Sequence, residues 1–521
     1  MSLSQKTDIL VIGSGNAGLS AALSAAQTNP TLKVTVIEKS PSSWAGGNTY
    51  FTAGAFRTVH NGLSDLLPLV NNTTPSQASR IDMDPYTESD FTADLQRMTG
   101  GRTDPALSKA LVSDSRAAIT WLASNGVRFQ LSFNRQAYEV NGRIKFWGGL
   151  ALKTEDGGKG LVEDELRAVR NAGVDVFFDT AATALVTDDS GAVVGVEVVN
   201  SAPVSKSRRT TIAASAVILA AGGFEANPQL RAQWLGPGWD AASVRGTPYN
   251  TGEMLKIACR DVSAKTAGNW SGCHSVAWDA DAGAHSGNRE ISNQYTKSGY
   301  PLGIMVNRNG ERFVDEGFDM RNYTYAMIGR RVLEQPGQVA FQIWDARTTG
   351  WLRDEEYRDE VVRRIEAGTI EELAGKCKEV GLVDTEAFVK TIREYNASVE
   401  GEEERKRWDP AVKDGLRTNG LAVAKSNWAL PVDKAPFLAV KVTAGVTFTF
   451  GGLAVRPETA AVISETTNEE VPGLYCVGEM LGGIFYDNYP GGSGLTSGAV
   501  FGRRAGRAAA ERAGSGRLGR L

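Results

Sequence analysis

The stretch "TDILVIGSGNAGLSAALSAAQ", residues 7–27, decides how the rest of the chain is read. Ile9 to Ile12 make an apolar run that predicts a buried strand, and the alanine-rich segment after Gly18 predicts a helix. Between them Gly13, Gly15 and Gly18 fit G-x-G-x-x-G. In that pattern the first glycine makes a tight turn, the second lets a pyrophosphate approach the backbone, and the third lets the helix pack closely on the strand. Asn16 and Ala17 open the helix, whose N–H groups and dipole hold phosphates. "KVTVIEK", residues 33–39, predicts a second strand that ends at Glu38, about twenty residues past Gly18. A carboxylate is needed there to bind ribose hydroxyls, and Lys39 stands beside it. A glycine pattern alone is a weak signal. Strand, turn, helix, strand and acid in this order make an α/β dinucleotide-binding unit the expected fold.

Further glycine turns recur far along the chain. "SPSSWAGGNTYFTAG", residues 40–54, offers Gly46, Gly47, Asn48, Thr49 and Gly54 for a loop continuing around the pyrophosphate. "SAVILAAGGFEAN" runs a buried strand into Gly222 and Gly223, and "VPGLYCVGEMLGG" runs another into Gly478 and Glu479. "FYDNYPGGSGLTSGAVFGRR", residues 485–504, then adds Ser493, Gly494 and Leu495. Several separate strand-to-glycine elements around one cofactor suit FAD better than NAD, because a flavin ring needs a second set of backbone contacts. Ala182 completes the expected cofactor contacts. No second GxGxxG precedes a distinct NAD(P)H domain, so substrate or a separate partner is expected to reduce the flavin.

Composition sets the outer limits. A chain of 521 residues predicts two or three domains. The 56 Lys and Arg against 60 Asp and Glu give a net charge of -4, which offers no footprint for nucleic acid or an anionic membrane. Four widely spaced cysteines without a CxxC pair point to reduced thiols, no metal site and a cytoplasmic protein. No run of about eighteen apolar residues predicts a membrane span. The chain enters a strand almost at once, leaving no expected signal peptide.

"VIGSGNAGLSAA", "GGNTYFTAG", "NRNGERFVDEG", "CVGEMLGG" and "NYPGGSGLTSGAVFGRRAG", in this order, resemble the FAD-dependent fumarate reductase/succinate dehydrogenase flavoprotein superfamily. Within it, "DLQRMTGGRTDPALSKALV", "WSGCHSVAWD" and "DEGFDMRNYTYA" resemble tricarballylate dehydrogenase-like proteins. The resemblance implies a Rossmann-like FAD-binding domain over 1–240 and 435–521, with a capping domain inserted over 241–434. The polar segment 363–399 agrees. It spaces Ile370 with Leu373, and Phe388 with Ile392 and Tyr395, on helical faces.

The same resemblance implies chemistry: hydride transfer between a substrate carbon and flavin N5, paired with proton transfer at the neighbouring carbon. It places the last glycine cluster against the flavin ring, and Arg321 close to the catalytic arginine of the fumarate reductases. A guanidinium is almost never neutral, so Arg321 would need relay partners such as Glu316 or Asp319. Tyr323 and Tyr325 are alternative proton carriers, and His274 falls where relatives bind substrate. His60 and His285 lie in polar, loop-like stretches. Arg503, Arg504 and Arg507 are expected on a helix surface.

Departures from the pattern shape the expectation further. Asn48 stands where covalent-FAD members carry histidine, so the FAD is expected to be noncovalent. Thr447 and Phe448 replace a histidine pair, and Tyr489 replaces an arginine, which weakens the case for a C4 dicarboxylate. Tyr489 also resembles the ketosteroid dehydrogenase branch, where a phenol hydrogen-bonds a substrate carbonyl. The expected enzyme is therefore an FAD-dependent dehydrogenase that inserts C=C beside a carboxyl or carbonyl, with a tricarballylate-like polycarboxylate as first substrate. Arg321 is its acid/base, and His274, Tyr489, Thr447 and Phe448 orient substrate. One alternative is a ketosteroid dehydrogenase-like or ene-reductase activity on a larger neutral enone, in an apolar pocket of Trp270, Phe448, Phe450 and Phe485. The other is a flavin electron-transfer subunit. Electrons would leave to oxygen, a quinone or a separate acceptor protein.

Overall fold

The computed structural model describes residues 3–202, 209–283 and 286–516; His285 lies outside them. The apolar run Ile9–Ile12 is a central strand of a six-stranded sheet. It pairs in parallel with Val34–Ile37 on one side and Ala216–Leu219 on the other. Asp175–Phe177 and Glu470–Cys476 extend the parallel order outward, and Ala461–Ile463 closes one edge antiparallel. Ile9, Leu10 and Val11 are fully buried, as expected of a strand covered on both faces.

The head and tail of the chain meet on this sheet. Helix Asn16–Thr28 packs along helix Ser493–Gly514, and glycines set the closeness of the contact. A Cβ on Gly502 would sit 2.7 Å from the Ala17 carbonyl, and one on Gly506 would sit 2.3 Å from that of Ala21. Asn16 donates to the Leu495 carbonyl (2.9 Å), and Ser24 to that of Arg503 (2.9 Å).

A second sheet is built around one long strand, Phe437–Leu453. It pairs with Ser243–Val244, Thr266–Asp279, Ala340–Trp344 and Ile365–Ala367, and Ile304–Asn307 extends the sheet. The expected domain division at 434/435 thus falls just before a strand whose ladder partners all belong to the inserted region. Helices Ile370–Glu379 and Thr385–Ser398 pack under this sheet with Leu373, Phe388, Ile392 and Tyr395 buried; Ile370 is half-buried. Thr369 and Asp384 cap them through the backbone N–H of Glu372 and Ala387, each cap stabilising by about 1 kcal/mol. Among the described residues, no helix is long and apolar enough to cross a membrane.

The ladder between Thr266–Asp279 and Phe437–Leu453 breaks register at His274. His274 faces Phe448 while Ser275 faces Val446, so Thr447 is the extra residue of a bulge. Bulges re-aim side chains. This one turns His274, Thr447 and Phe448 toward a shared cavity.

Candidate active site

A cavity of about 400 Å³ runs from the first glycine turn to the second sheet. Its two ends are built differently. The first end is mostly backbone. Gly13 holds φ +116°, and a Cβ there would lie 2.2 Å from the Ala220 carbonyl oxygen, so only glycine closes the turn. Gly15 caps helix Asn16–Thr28 without any side-chain hydrogen bond, and Gly492 does the same for Ser493–Gly514. Neither first turn carries an acid. Two uncapped helix N-termini over one cavity favour negative charge at both places. Glu38 is locked at the end of its strand, accepting from the Ser14 N–H (3.0 Å), the Ser14 hydroxyl (2.8 Å) and the Ser40 N–H (2.9 Å). A Cβ on Gly47 would meet nothing within 4 Å, leaving open space beside that loop. These features fit a pyrophosphate, a ribose and a flavin ring.

Most expected cofactor residues reach this wall. Gly13, Gly15, Asn16, Ala17, Glu38 and Lys39 line it, as do Gly47, Asn48 and Thr49. Ala182, Gly222, Glu479, Gly494 and Leu495 complete it. Five others stand behind the wall and shape it. Gly18 lies under Gly13, Gly46 against Val162, Gly54 against Thr154, and Gly223 between Glu479 and Thr449. Ser493 turns its hydroxyl to the Pro490 carbonyl (2.5 Å). Asn48 donates to the Thr447 carbonyl (2.7 Å) and to Glu225, and accepts from the Thr247 N–H (2.8 Å).

The second end is made of side chains. Arg135, Arg245, Arg321 and Arg353 all line it, with Glu355 and Glu356 as the acids beside them. Arg353 donates to Glu356 (2.8 Å), to the Ser298 hydroxyl (3.0 Å) and to the Arg135 carbonyl (2.9 Å). Burial, then the like charge of Arg321, lowers its pKa to about 10. Burial alone would raise Glu356, but Arg353 and Arg135 pull it down to about 2. Arg321 donates to the Arg135 carbonyl and sits 5.5 Å over the Trp147 ring. Its expected relay partners are engaged elsewhere: Glu316 pairs with Arg312, and Asp319 with Arg97 and Lys413. Arg245 is 5% exposed; it donates only weakly to Thr447 (3.3 Å) and the Phe51 carbonyl (3.4 Å), and its Nε has no partner.

A line of ring groups crosses this end. The hydroxyls of Tyr325 and Tyr489 lie 3.0 Å apart, and that of Tyr489 is 3.2 Å from His274 Nδ1. Burial, then the charge of Arg245, pushes the His274 pKa well below its usual 6.5, so the ring is neutral. Burial, then Tyr325, pushes Tyr489 well above 10, so it stays a phenol donor.

Tyr323 is not part of this wall. Its hydroxyl donates to Asp94 (2.7 Å) and accepts from Arg57 (3.4 Å), behind the turn at Gly491. Trp270, Phe450 and Phe485 also stay out: Trp270 stacks on Phe224, and the two phenylalanines pack behind Phe448 and Tyr489. Sequence reasoning missed Arg135, Arg245 and Arg353. Each is a single arginine in an unremarkable segment, and only the fold brings them together.

The comparisons with known proteins bear on this cavity. The chain matches the FAD binding domain family over residues 8–495. It is 28% identical over 506 residues to the fumarate reductase (cytochrome) of Shewanella frigidimarina, covering 97% of this chain and 77% of the relative. It is 26% identical over 581 residues to the 4-oxocyclohex-2-ene-1-carboxylate 5-dehydrogenase of Sinomonas cyclohexanicum, covering 96% and 93%. Its fold is similar to that of a 3-ketosteroid Δ1-dehydrogenase from Sterolibacterium denitrificans, with TM-score 0.71 and 19% identity over 98% of this chain and 100% of the other. The chain belongs to the FAD binding domain family, and FAD is its cofactor.

Proposed function

We propose that this FAD-dependent oxidoreductase interconverts CH–CH and C=C beside a carboxylate or carbonyl group, working as a dehydrogenase on a polycarboxylate of the tricarballylate kind. The observation that carries the reading is the charge of the second end. Four guanidiniums, those of Arg245 and Arg321 buried and those of Arg135 and Arg353 largely so, face two carboxylates, which leaves room for two anionic groups on a ligand. A guanidinium forks onto carboxylate oxygens, and the desolvated site strengthens each contact.

Bound FAD supplies the hydride acceptor. The chain's own residues do the rest. Arg245 and Arg353 hold carboxylates, while Tyr489 donates its phenol proton to a carbonyl or carboxylate oxygen. That polarisation acidifies the neighbouring C–H. Arg321 exchanges the proton at that carbon; Tyr325, 3.0 Å from Tyr489, is the second candidate for this task. His274 is held neutral and fixes the Tyr489 hydroxyl (3.2 Å). Phe448 covers the site against water. Asn48, whose amide is committed to three neighbours, makes noncovalent FAD part of the reading. A separate acceptor protein, a quinone or oxygen would remove the electrons.

The test is anaerobic addition of tricarballylate, succinate and a 3-ketosteroid to the yellow holoprotein. Bleaching by the polycarboxylate is the expected result. Bleaching by the ketosteroid alone would overturn the substrate class, because a neutral enone leaves the arginines unanswered.

A further inference from the structure

Two carboxyl groups at the cavity wall have no part in the proton transfer proposed for the substrate. Glu479 faces the cavity, and Glu225, fully buried, lies behind it. Glu225 Oε1 accepts from the Asn250 amide (2.6 Å) and the Asn48 amide. Among the described residues, no N–H or O–H group reaches Oε2. Glu479 accepts from the Thr449 N–H (2.8 Å) and hydroxyl (2.9 Å), and its carboxyl is a neighbour of that of Glu225. Two neighbouring carboxyls in a buried wall avoid facing like charges by keeping one proton, and Glu225 Oε2, which no donor reaches, is the oxygen left to carry it. Burial raises the proton affinity of both groups, and that of Glu225 is raised further by Glu479.

Among the described residues, no Lys or Arg forms an ion pair with either carboxyl. Arg231 lies nearest, but its guanidinium is spent on the backbone carbonyls of Glu225, Trp239, Asp240 and Ala242. Arg245 turns to Thr447 and Phe51, Lys39 is paired with Glu253 (2.8 Å), and Glu38 is held by Ser14 and Ser40. The first turns of helices Asn16–Thr28 and Ser493–Gly514 bring no charged side chain. The pair therefore holds one proton and one negative charge that no salt bridge answers.

We propose that the Glu225–Glu479 pair is a redox-linked proton site, which takes up a second proton when the cofactor in the cavity is reduced. In the oxidised protein the pair carries one proton. A substrate CH–CH unit loses one hydrogen with two electrons, as hydride to the flavin, and the other as a proton. That proton, passed on through solvent, brings the pair to two, offsetting the negative charge gained by the cofactor. Reoxidation returns it. The inference rests on FAD as cofactor but not on the substrate proposed above, and its test needs no substrate.

The test is a spectroelectrochemical titration of the holoprotein across neutral pH. At a fixed potential, the oxidised-to-reduced ratio of the wild type should change about tenfold more per pH unit than that of the Glu225→Gln/Glu479→Gln double variant. This corresponds to a slope steeper by about 30 mV per pH unit for a two-electron couple. Glu225→Asp should keep the wild-type slope, which a purely structural role for the amide contacts would not require. Equal slopes in wild type and the double variant would overturn the proposal. Should the variants lose flavin, the infrared difference spectrum of the wild type on reduction decides instead. A gain in protonated-carboxyl absorption supports the proton site, and none refutes it. Failure of every carboxylate to bleach the protein would leave both measurements readable.

Discussion

The two ends of the cavity solve opposite problems with opposite materials. The first end is mostly backbone: glycine turns and two uncapped helix N-termini, with Glu38 locked among them and Glu479 in the same wall. The second end is side chain: four arginines, two acids, two phenols and a neutral imidazole, drawn from segments more than two hundred residues apart. Backbone donors fixed by a turn are rigid and chemically uniform, which suits a constant ligand. Side chains held by one another can be exchanged singly, which suits a substrate that differs between relatives.

If that contrast is right, the largest effect comes from spoiling the backbone end. Gly13→Ala puts a Cβ 2.2 Å from the Ala220 carbonyl in a left-handed backbone region. It should lose bound flavin altogether and destabilise by about 3 kcal/mol, read from the flavin-to-protein absorbance ratio and the melting temperature. At the side-chain end the colour should survive. Arg321→Ala is expected to slow substrate bleaching about 10²- to 10⁴-fold in stopped flow with flavin content unchanged. If Tyr325→Phe has the larger effect, the proton passes through the phenol instead.

Arg353→Met should weaken carboxylate binding by about 2–5 kcal/mol, measured as perturbation of the flavin spectrum. An equal loss of flavin would erase the distinction between the ends. A smaller effect follows from Glu356. Its pKa is pulled from 4.5 down to about 2, so its contribution to stability is complete above about 4.5 and lost as pH falls toward 2. The melting-temperature gap between wild type and Glu356→Gln should close over that window and stay constant above it. Smallest of all, Glu403→Gln breaks an exposed pair with Lys406 (2.7 Å) and should shift stability by less than about 0.5 kcal/mol.

The same contrast explains what could be read from the chain. The glycine turn, Glu38 and the returning C-terminal cluster are local patterns whose spacing is dictated by one strand and one helix. Sequence therefore located fourteen wall residues, from Gly13 to Leu495. Gly18, Gly46, Gly54 and Gly223 are packing glycines one layer back, and nothing local separates a glycine that faces a ligand from one that faces a neighbour. Arg135, Arg245 and Arg353 have no shared spacing, so only tertiary structure assembles them. Tyr323 and Tyr325 show the limit most plainly. Two residues apart on helix Arg321–Leu333, they point to different surroundings, one to Asp94 and the other to Tyr489. The bulge at Thr447 was likewise invisible, because it arises from a mismatch between two distant strands.

The long strand Phe437–Leu453 has a mechanical meaning. It is laddered into the second sheet along most of its length, yet its end is stitched to the segment leading to the last glycine cluster, where the Gly482 N–H donates to the Leu453 carbonyl (3.0 Å). A Cβ on Gly452 would strike the Met480 carbonyl at 2.2 Å, so the stitch is tight. Such a strand works as a beam anchored at both supports. Any flexing of the second sheet against the segment before the last glycine cluster has to strain this strand or its stitch.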